Sequence, residues 1–134
     1  MRLIPHISFD GQCEAAFQVY AGCLGGEISF MLRYGESPAR AGHEDFADKI
    51  VHATLKVGEQ TLTGVDVRPE VYEKPRGFSV QLNIDDAEEA RRVFDALAEG
   101  GVVQMALQKT FWAEHFAVLT DRFGVPWEIN CNKA

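Results

Sequence analysis

Four histidines, several hydroxyls and a carboxylate near the end of the chain are the side chains with chemistry to offer. His6 and Ser8 alternate with Ile7 and Phe9, and Ser79 and Gln81 alternate with Phe78, Val80 and Leu82. Glu128 and Asn130 likewise stand opposite an apolar face. A two-residue period of this kind puts the polar groups on one side of a strand and the apolar ones on the other. An imidazole and a carboxylate are donors that zinc, nickel, manganese and iron accept. Held with open positions, such an ion polarises a substrate oxygen or lowers the pKa of a bound water. Ser79 is a poorer ligand, because a neutral hydroxyl carries no charge to the metal. Ser8 and His6 point the same way from one strand with nothing to orient the base, so the sequence does not support nucleophilic catalysis. It also contains no hydrolase elbow, phosphate loop or dinucleotide fingerprint.

The other candidates have two readings each. His52 lies on the polar face of its strand, where it faces the same hollow as His6 or faces solvent. His115 is expected in a loop after Trp112, closing over a ligand or simply exposed, and His43 is expected to be exposed. Phe30, Tyr34, Phe111 and Trp112 either wall an apolar pocket or pack in the core, and the core is expected for Phe30. Cys13 and Cys23 read as small core residues.

The elements that must position these groups follow from periodicity and turn residues. Residues 4–9 read as a strand. Asp10 is the expected N-cap of a helix whose Cys13, Ala16, Phe17, Tyr20 and Leu24 share one face. Gly25 and Gly26 end it. Residues 27–34 return as a strand, and 35–48 form a polar loop expected to be mobile. Residues 49–57 and 60–65 make a hairpin around Gly58 and Glu59. After a connector the pattern repeats: a strand over 77–84, a helix capped by Asp86 with Glu89 three residues on, Gly100 and Gly101, then strands over 102–107, 116–120 and 126–130.

Val19-Tyr20 aligns with Val93-Phe94, and Leu24-Gly25-Gly26 with Glu99-Gly100-Gly101, which marks an internal duplication with an offset of about 74 to 75 residues. The expected fold class is α+β, with two tandem βαβββ modules forming curved antiparallel sheets and helices on the outside. The chain reads as a single domain, 1–134, with module one over about 1–66, the connector over about 67–76 and module two over about 77–134.

Composition bounds the rest. With 46% apolar and 25% charged residues the chain is ordinary globular material. A net charge of −7 with no basic stripe argues against a nucleic-acid partner. Cys13, Cys23 and Cys131 have no metal-finger or C-x-x-C spacing, which reads as a reduced intracellular protein. No secretory leader or bilayer-spanning run is seen, so the expected location is cytoplasmic and no membrane partner is expected.

Several blocks together resemble a known family. They are Pro5-His6-Ile7-Ser8-Phe9-Asp10-Gly11, Val19-Tyr20, Tyr34-Gly35-Glu36 with Pro38, Phe94-Asp95-Ala96-Leu97, Gly100-Gly101, Thr110-Phe111-Trp112-Ala113 and 120–127. Over essentially its whole length the chain resembles the vicinal oxygen chelate superfamily of glyoxalases, bleomycin-resistance proteins and dioxygenases, in its PhnB-like branch. The resemblance implies paired modules, often in homodimers, around U-shaped sites.

In members that do chemistry, the resemblance further implies one divalent metal (Zn, Ni, Mn or Fe) held on first and last strands. Carried over residue by residue, those positions are His6, Ser79 and Glu128. Ser79 stands where a second histidine is expected, and no carboxylate occupies the matching place near Leu62. Glu128 departs the other way, since the PhnB-like branch often has an apolar residue there. The metal ligands expected are therefore His6 and Glu128, and the ligand-contacting residues Ser79, Ser8, Gln81, His52, Trp112 and Tyr34. PhnB-like proteins mostly lack an assigned reaction. Some carry a demethylubiquinone methyltransferase description, for which this sequence offers no methyl-donor loop. Three readings stay open: a metal-dependent lyase, isomerase, dioxygenase or transferase acting on an oxygen-chelating molecule; a metal-free protein that binds or sequesters a small molecule; and a duplicated structural domain whose site has decayed.

Overall fold

The structure, a computed structural model, describes residues 1–133. The chain divides into two compact units, Met1–Glu73 and a second beginning at Lys74, so the division falls inside the expected connector. The first unit contains β1 (His6–Phe9), α1 (Cys13–Leu24), β2 (Glu27–Arg33), β3 (Ile50–Val57) and β4 (Gln60–Asp66). The second contains β5 (Val80–Asn83), α2 (Ala87–Ala98), β6 (Val102–Gln108), β7 (His115–Thr120) and β8 (Pro126–Cys131). Each is a βαβββ module, as the duplication implied.

The two sheets have the same order, β1-β4-β3-β2 and β5-β8-β7-β6. The three later strands of each unit form an antiparallel meander, while β1 runs parallel to β4 and β5 parallel to β8. Each sheet is thus mixed rather than antiparallel throughout. The helix between first and second strands makes this possible: it is the crossover that returns the chain for parallel pairing.

In each unit one sheet face is apolar and lies against its helix. Ile7, Phe9, Ala53, Leu55 and Leu62 are buried in the first unit with Phe17 and Tyr20 of α1. Trp127, Ile129, Ala117 and Leu119 are buried in the second with Val93, Phe94 and Leu97 of α2. Full burial stabilises a large aliphatic or aromatic side chain by about 1.5–3 kcal/mol, so these faces fix each sheet's orientation and leave its other face open.

Two buried carboxylates hold the connections. Asp66, at the end of β4, accepts hydrogen bonds from the amides of Cys13 (2.9 Å) and Ile50 (2.9 Å). It thereby satisfies the start of α1 from a distance of 53 residues, and Asp10 is not the cap; the N-cap position is Gln12, whose side chain makes no capping bond. Asp121 accepts from Phe123 N (2.9 Å), Val125 N (3.0 Å) and the Trp127 indole (2.9 Å), closing the turn into β8.

The segment 35–48 is more regular than its polarity suggested. It winds through three short 3-10 turns, Tyr34–Glu36, Pro38–Arg40 and Glu44–Phe46. Tyr34 stacks on His43 (5.1 Å) and meets Phe46 edge-on (5.2 Å). Arg68 pins the far end with two bonds to Asp45 and lies over the Phe46 ring at 5.0 Å.

Candidate functional site

The open faces of the two sheets carry the candidate residues. On the first sheet, His6 of β1 sits beside Thr63 of β4, which sits beside Thr54 of β3. His6 Nδ1 shares a 2.7 Å hydrogen bond with the Thr63 hydroxyl. That hydroxyl also reaches the Pro5 carbonyl at 3.4 Å, an oxygen that only accepts. The Thr63 hydroxyl thus has two acceptor-capable neighbours, and the bond to His6 Nδ1 is the shorter and stronger, fixing the orientation of the imidazole ring. Burial pushes the His6 imidazole below its ordinary value and the neighbouring His52 adds to the shift, so the ring is held neutral near pH 7. The His6 and His52 rings lie 6.2 Å apart and nearly parallel, and Phe30 approaches His52 at 5.9 Å. His52 Nε2 also meets Thr54 Oγ1 at 3.2 Å. His52 thus lies beside His6 on the open face, and Phe30, expected in the core, is half-exposed beside them.

The second unit holds a shallow hollow of about 360 Å³ on its own open face. Ser79, Gln104, Thr120 and Glu128 line it with Arg76, while Phe78, Val118 and Pro126 give it apolar walls. The register explains the grouping. Glu128 lies between Gln81 of β5 and Val118 of β7, and Pro126 lies beside Thr120. Glu128 accepts a long 3.4 Å bond from the Gln81 amide, and Gln104 donates to Thr120 at 3.0 Å. Ser79 falls just before β5, because that strand begins at Val80 rather than at 77.

Other sequence candidates separate from these two clusters. Tyr34 turns into the 35–48 segment and donates from its hydroxyl to the Asp66 carbonyl at 2.8 Å, a structural role. Trp112 is half-exposed between Phe111 (4.5 Å) and the buried Phe116 (5.1 Å), and Phe111 is 95% exposed. His115 opens β7 rather than lying in a loop, and His43 donates to the Ala39 carbonyl at 2.8 Å. Arg76 and Gln104 were missed by sequence reasoning. Arg76 lies in the connector, where no periodicity flags it, and Gln104 on a strand read only for its apolar residues.

The donor set can be tested against a divalent metal. In the first unit the nearest pair is two imidazoles; in the second a single carboxylate stands among neutral groups and the cationic Arg76. Among the described residues no group of three or more His, Cys, Asp or Glu is placed to hold a metal ion. Protein metal sites generally take three or four such donors, so neither unit by itself fits one. No helix of the described residues is long and apolar enough to cross a membrane.

Two βαβββ modules, each with a helix on one sheet face and polar groups on the other, define a glyoxalase-like protein. The family model described as 3-demethylubiquinone-9 3-methyltransferase matches residues 1–130. The chain belongs to that family, the PhnB-like branch of the vicinal oxygen chelate superfamily. Protein YjdN of Escherichia coli (strain K12) is 36% identical over 144 residues, covering 99% of this chain and 97% of that protein. Protein PA1353 from Pseudomonas aeruginosa is 47% identical with a TM-score of 0.92, covering 100% of this chain and 99% of the other. The PhnB protein from Bacillus cereus is 25% identical with a TM-score of 0.83, over 98% and 99% of the two chains.

Proposed function

We propose that this protein binds a small organic molecule on the open face of its second sheet, without a tightly held metal. The observation that carries the reading is the hollow around Glu128, where hydroxyl, amide and charged groups converge between apolar walls. Ligand sites are typically of this mixed kind, a few polar groups fixing orientation within an apolar surround. The methyltransferase description of the family is not extended to this chain. Its two mixed sheets lack the parallel, doubly wound arrangement at whose switch point nucleotide-like cofactors commonly sit.

A second reading has one observation in its favour. The Thr63 bond is made at Nδ1 and orients the His6 ring, as partners of metal-binding histidines do, leaving the Nε2 edge to face outward partners. In that reading His6 and Glu128 ligate one divalent ion in an enzyme acting on an oxygen-chelating molecule. We place the protein in the cytoplasm as a homodimer, in keeping with its cysteine usage and with the superfamily's paired modules.

The experiment is metal analysis by mass spectrometry of tag-free protein after incubation with zinc, nickel, manganese or anaerobic iron(II), beside His6→Ala and Glu128→Ala. Light scattering on the same samples reads the oligomeric state, and a monomer at micromolar concentration would remove the dimer. Metal well below one equivalent is the expected result. Near-stoichiometric metal, lost in both variants, would replace the binding reading with the enzyme one.

A further inference from the structure

The hollow in the second unit contains two charges, Glu128 and Arg76, that form no ion pair among the described residues. Glu128 sits midway along β8 with the Gln81 amide as its hydrogen-bond partner, at 3.4 Å the long limit for such a bond. Arg76 lines the same hollow, and among the described residues its guanidinium makes no hydrogen bond or ion pair. Opposite charges sharing a small site normally close on one another when they can reach, because a bidentate guanidinium–carboxylate pair is among the stronger polar contacts. Here each keeps its capacity for an outside partner.

The groups around them have a matching chemistry. Ser79 and Thr120 present hydroxyl oxygens and Gln104 an amide, while Pro75, Phe78 and Pro126 offer apolar surface, with Phe78 half-exposed. A primary ammonium has three donors and no acceptor. Glu128 offers it a charged acceptor, and the Ser79 and Thr120 hydroxyl oxygens line the same hollow. A divalent metal is matched less well, since one carboxylate is the only charged oxygen in the set. A simple anion would be drawn to Arg76 but repelled by Glu128.

We propose that this hollow takes a small zwitterion with an apolar body. Its ammonium bonds to Glu128, its acidic group pairs with Arg76, and its body lies against Phe78 and Pro126. The inference rests on the binding reading above and names the class of ligand for that site.

The test uses amide NMR spectra of the full chain titrated with four probes: L-phenylalanine, phenethylamine, 3-phenylpropionate and 2-phenylethanol. Wild type is compared with Glu128→Gln and Arg76→Gln, whose dispersed spectra also report that they fold. L-phenylalanine is expected to bind tightest and to shift amides at 76–79, 118–120 and 127–128. Glu128→Gln should weaken both amines about tenfold or more, the usual size of a lost charged hydrogen bond. Arg76→Gln should bring phenylalanine down to the level of phenethylamine and leave phenethylamine unchanged. If 2-phenylethanol binds the hollow as well as phenylalanine, or Glu128→Gln leaves the amines unaffected, the zwitterion is wrong while the binding reading stands. If none of the four moves these amides, the zwitterion is again wrong; the binding reading falls only on the metal result described earlier.

Discussion

Replacing Asp121 tests how the turn before β8 is held, and with it the placement of Glu128. The carboxylate is buried, and its two oxygens serve at least three donors: Phe123 N and Val125 N on Oδ1, Trp127 Nε1 on Oδ2. Asp121→Ala removes the acceptor of all three. Hydrogen bonds to a charged group contribute about 1.5–3 kcal/mol each, but they are not additive. Losing a buried charge also relieves its desolvation cost. The balance is a loss of about 3 kcal/mol, a large share of the 5–15 kcal/mol typical of a domain. Asp121→Asn preserves one oxygen for the two amides, and places an NH2 group or an overworked oxygen before the indole. Its loss should be about 1–2 kcal/mol. The assay is denaturant unfolding followed by tryptophan fluorescence, in a Trp112→Phe background so that the signal comes from Trp127, which is 1% exposed. An alanine variant within 0.5 kcal/mol of wild type, or less stable by no more than the asparagine variant, would refute the reasoning.

Two further outcomes follow from packing and burial. Gly64→Ala puts a Cβ 2.8 and 2.9 Å from Phe17 ring atoms and 3.0 Å from Phe9, all inside the first unit's core. The overpacking should cost about 1–3 kcal/mol in a denaturation curve, and a neutral result would mean the two rings move aside freely. Burial pushes the Asp66 carboxyl above its ordinary value, outweighing the two amides that pull it down. The folded chain then holds that proton more tightly than the unfolded chain does. Asp66's contribution to stability is therefore most favourable below the unfolded value and declines as pH rises through the folded one. Carboxyl carbon NMR titration should place its midpoint above 3.8, and one at or below 3.8 contradicts the account.

Much of the fold was legible because local signals and burial agreed. The two-residue alternation of Ile7-Phe9 and the stripe of Ala90, Val93, Phe94 and Leu97 state which face meets the core. The duplication supplied the module boundary. What escaped was long-range: the parallel pairing of β1 with β4 has no local pattern, and neither does a helix cap delivered from Asp66. Segment 35–48 misled for a related reason. Its order comes from Tyr34, His43, Phe46 and Arg68 meeting across up to 34 positions, which polarity and proline content do not reveal. At the site, His6, Ser79, Gln81 and Glu128 were legible as open-face residues. Arg76, on irregular chain, was not.

The strand order carries a consequence for how each unit is assembled. In both sheets the strand made last, β4 or β8, is an inner one, and the strand made first has no other neighbour. The last strand is therefore a keystone. Until it arrives, the chain has one loose hairpin and an edge strand with nothing to pair to; His6 must wait for Thr63, 57 positions on, and Gln81 for Glu128, 47 positions on. Closing loops of that length costs entropy before any contact returns it. Loss of β8 by proteolysis would cost the second unit more than its last strand. It would leave β5 unpaired and expose the helix face that Trp127 and Ile129 cover, so each module should exist whole or hardly at all.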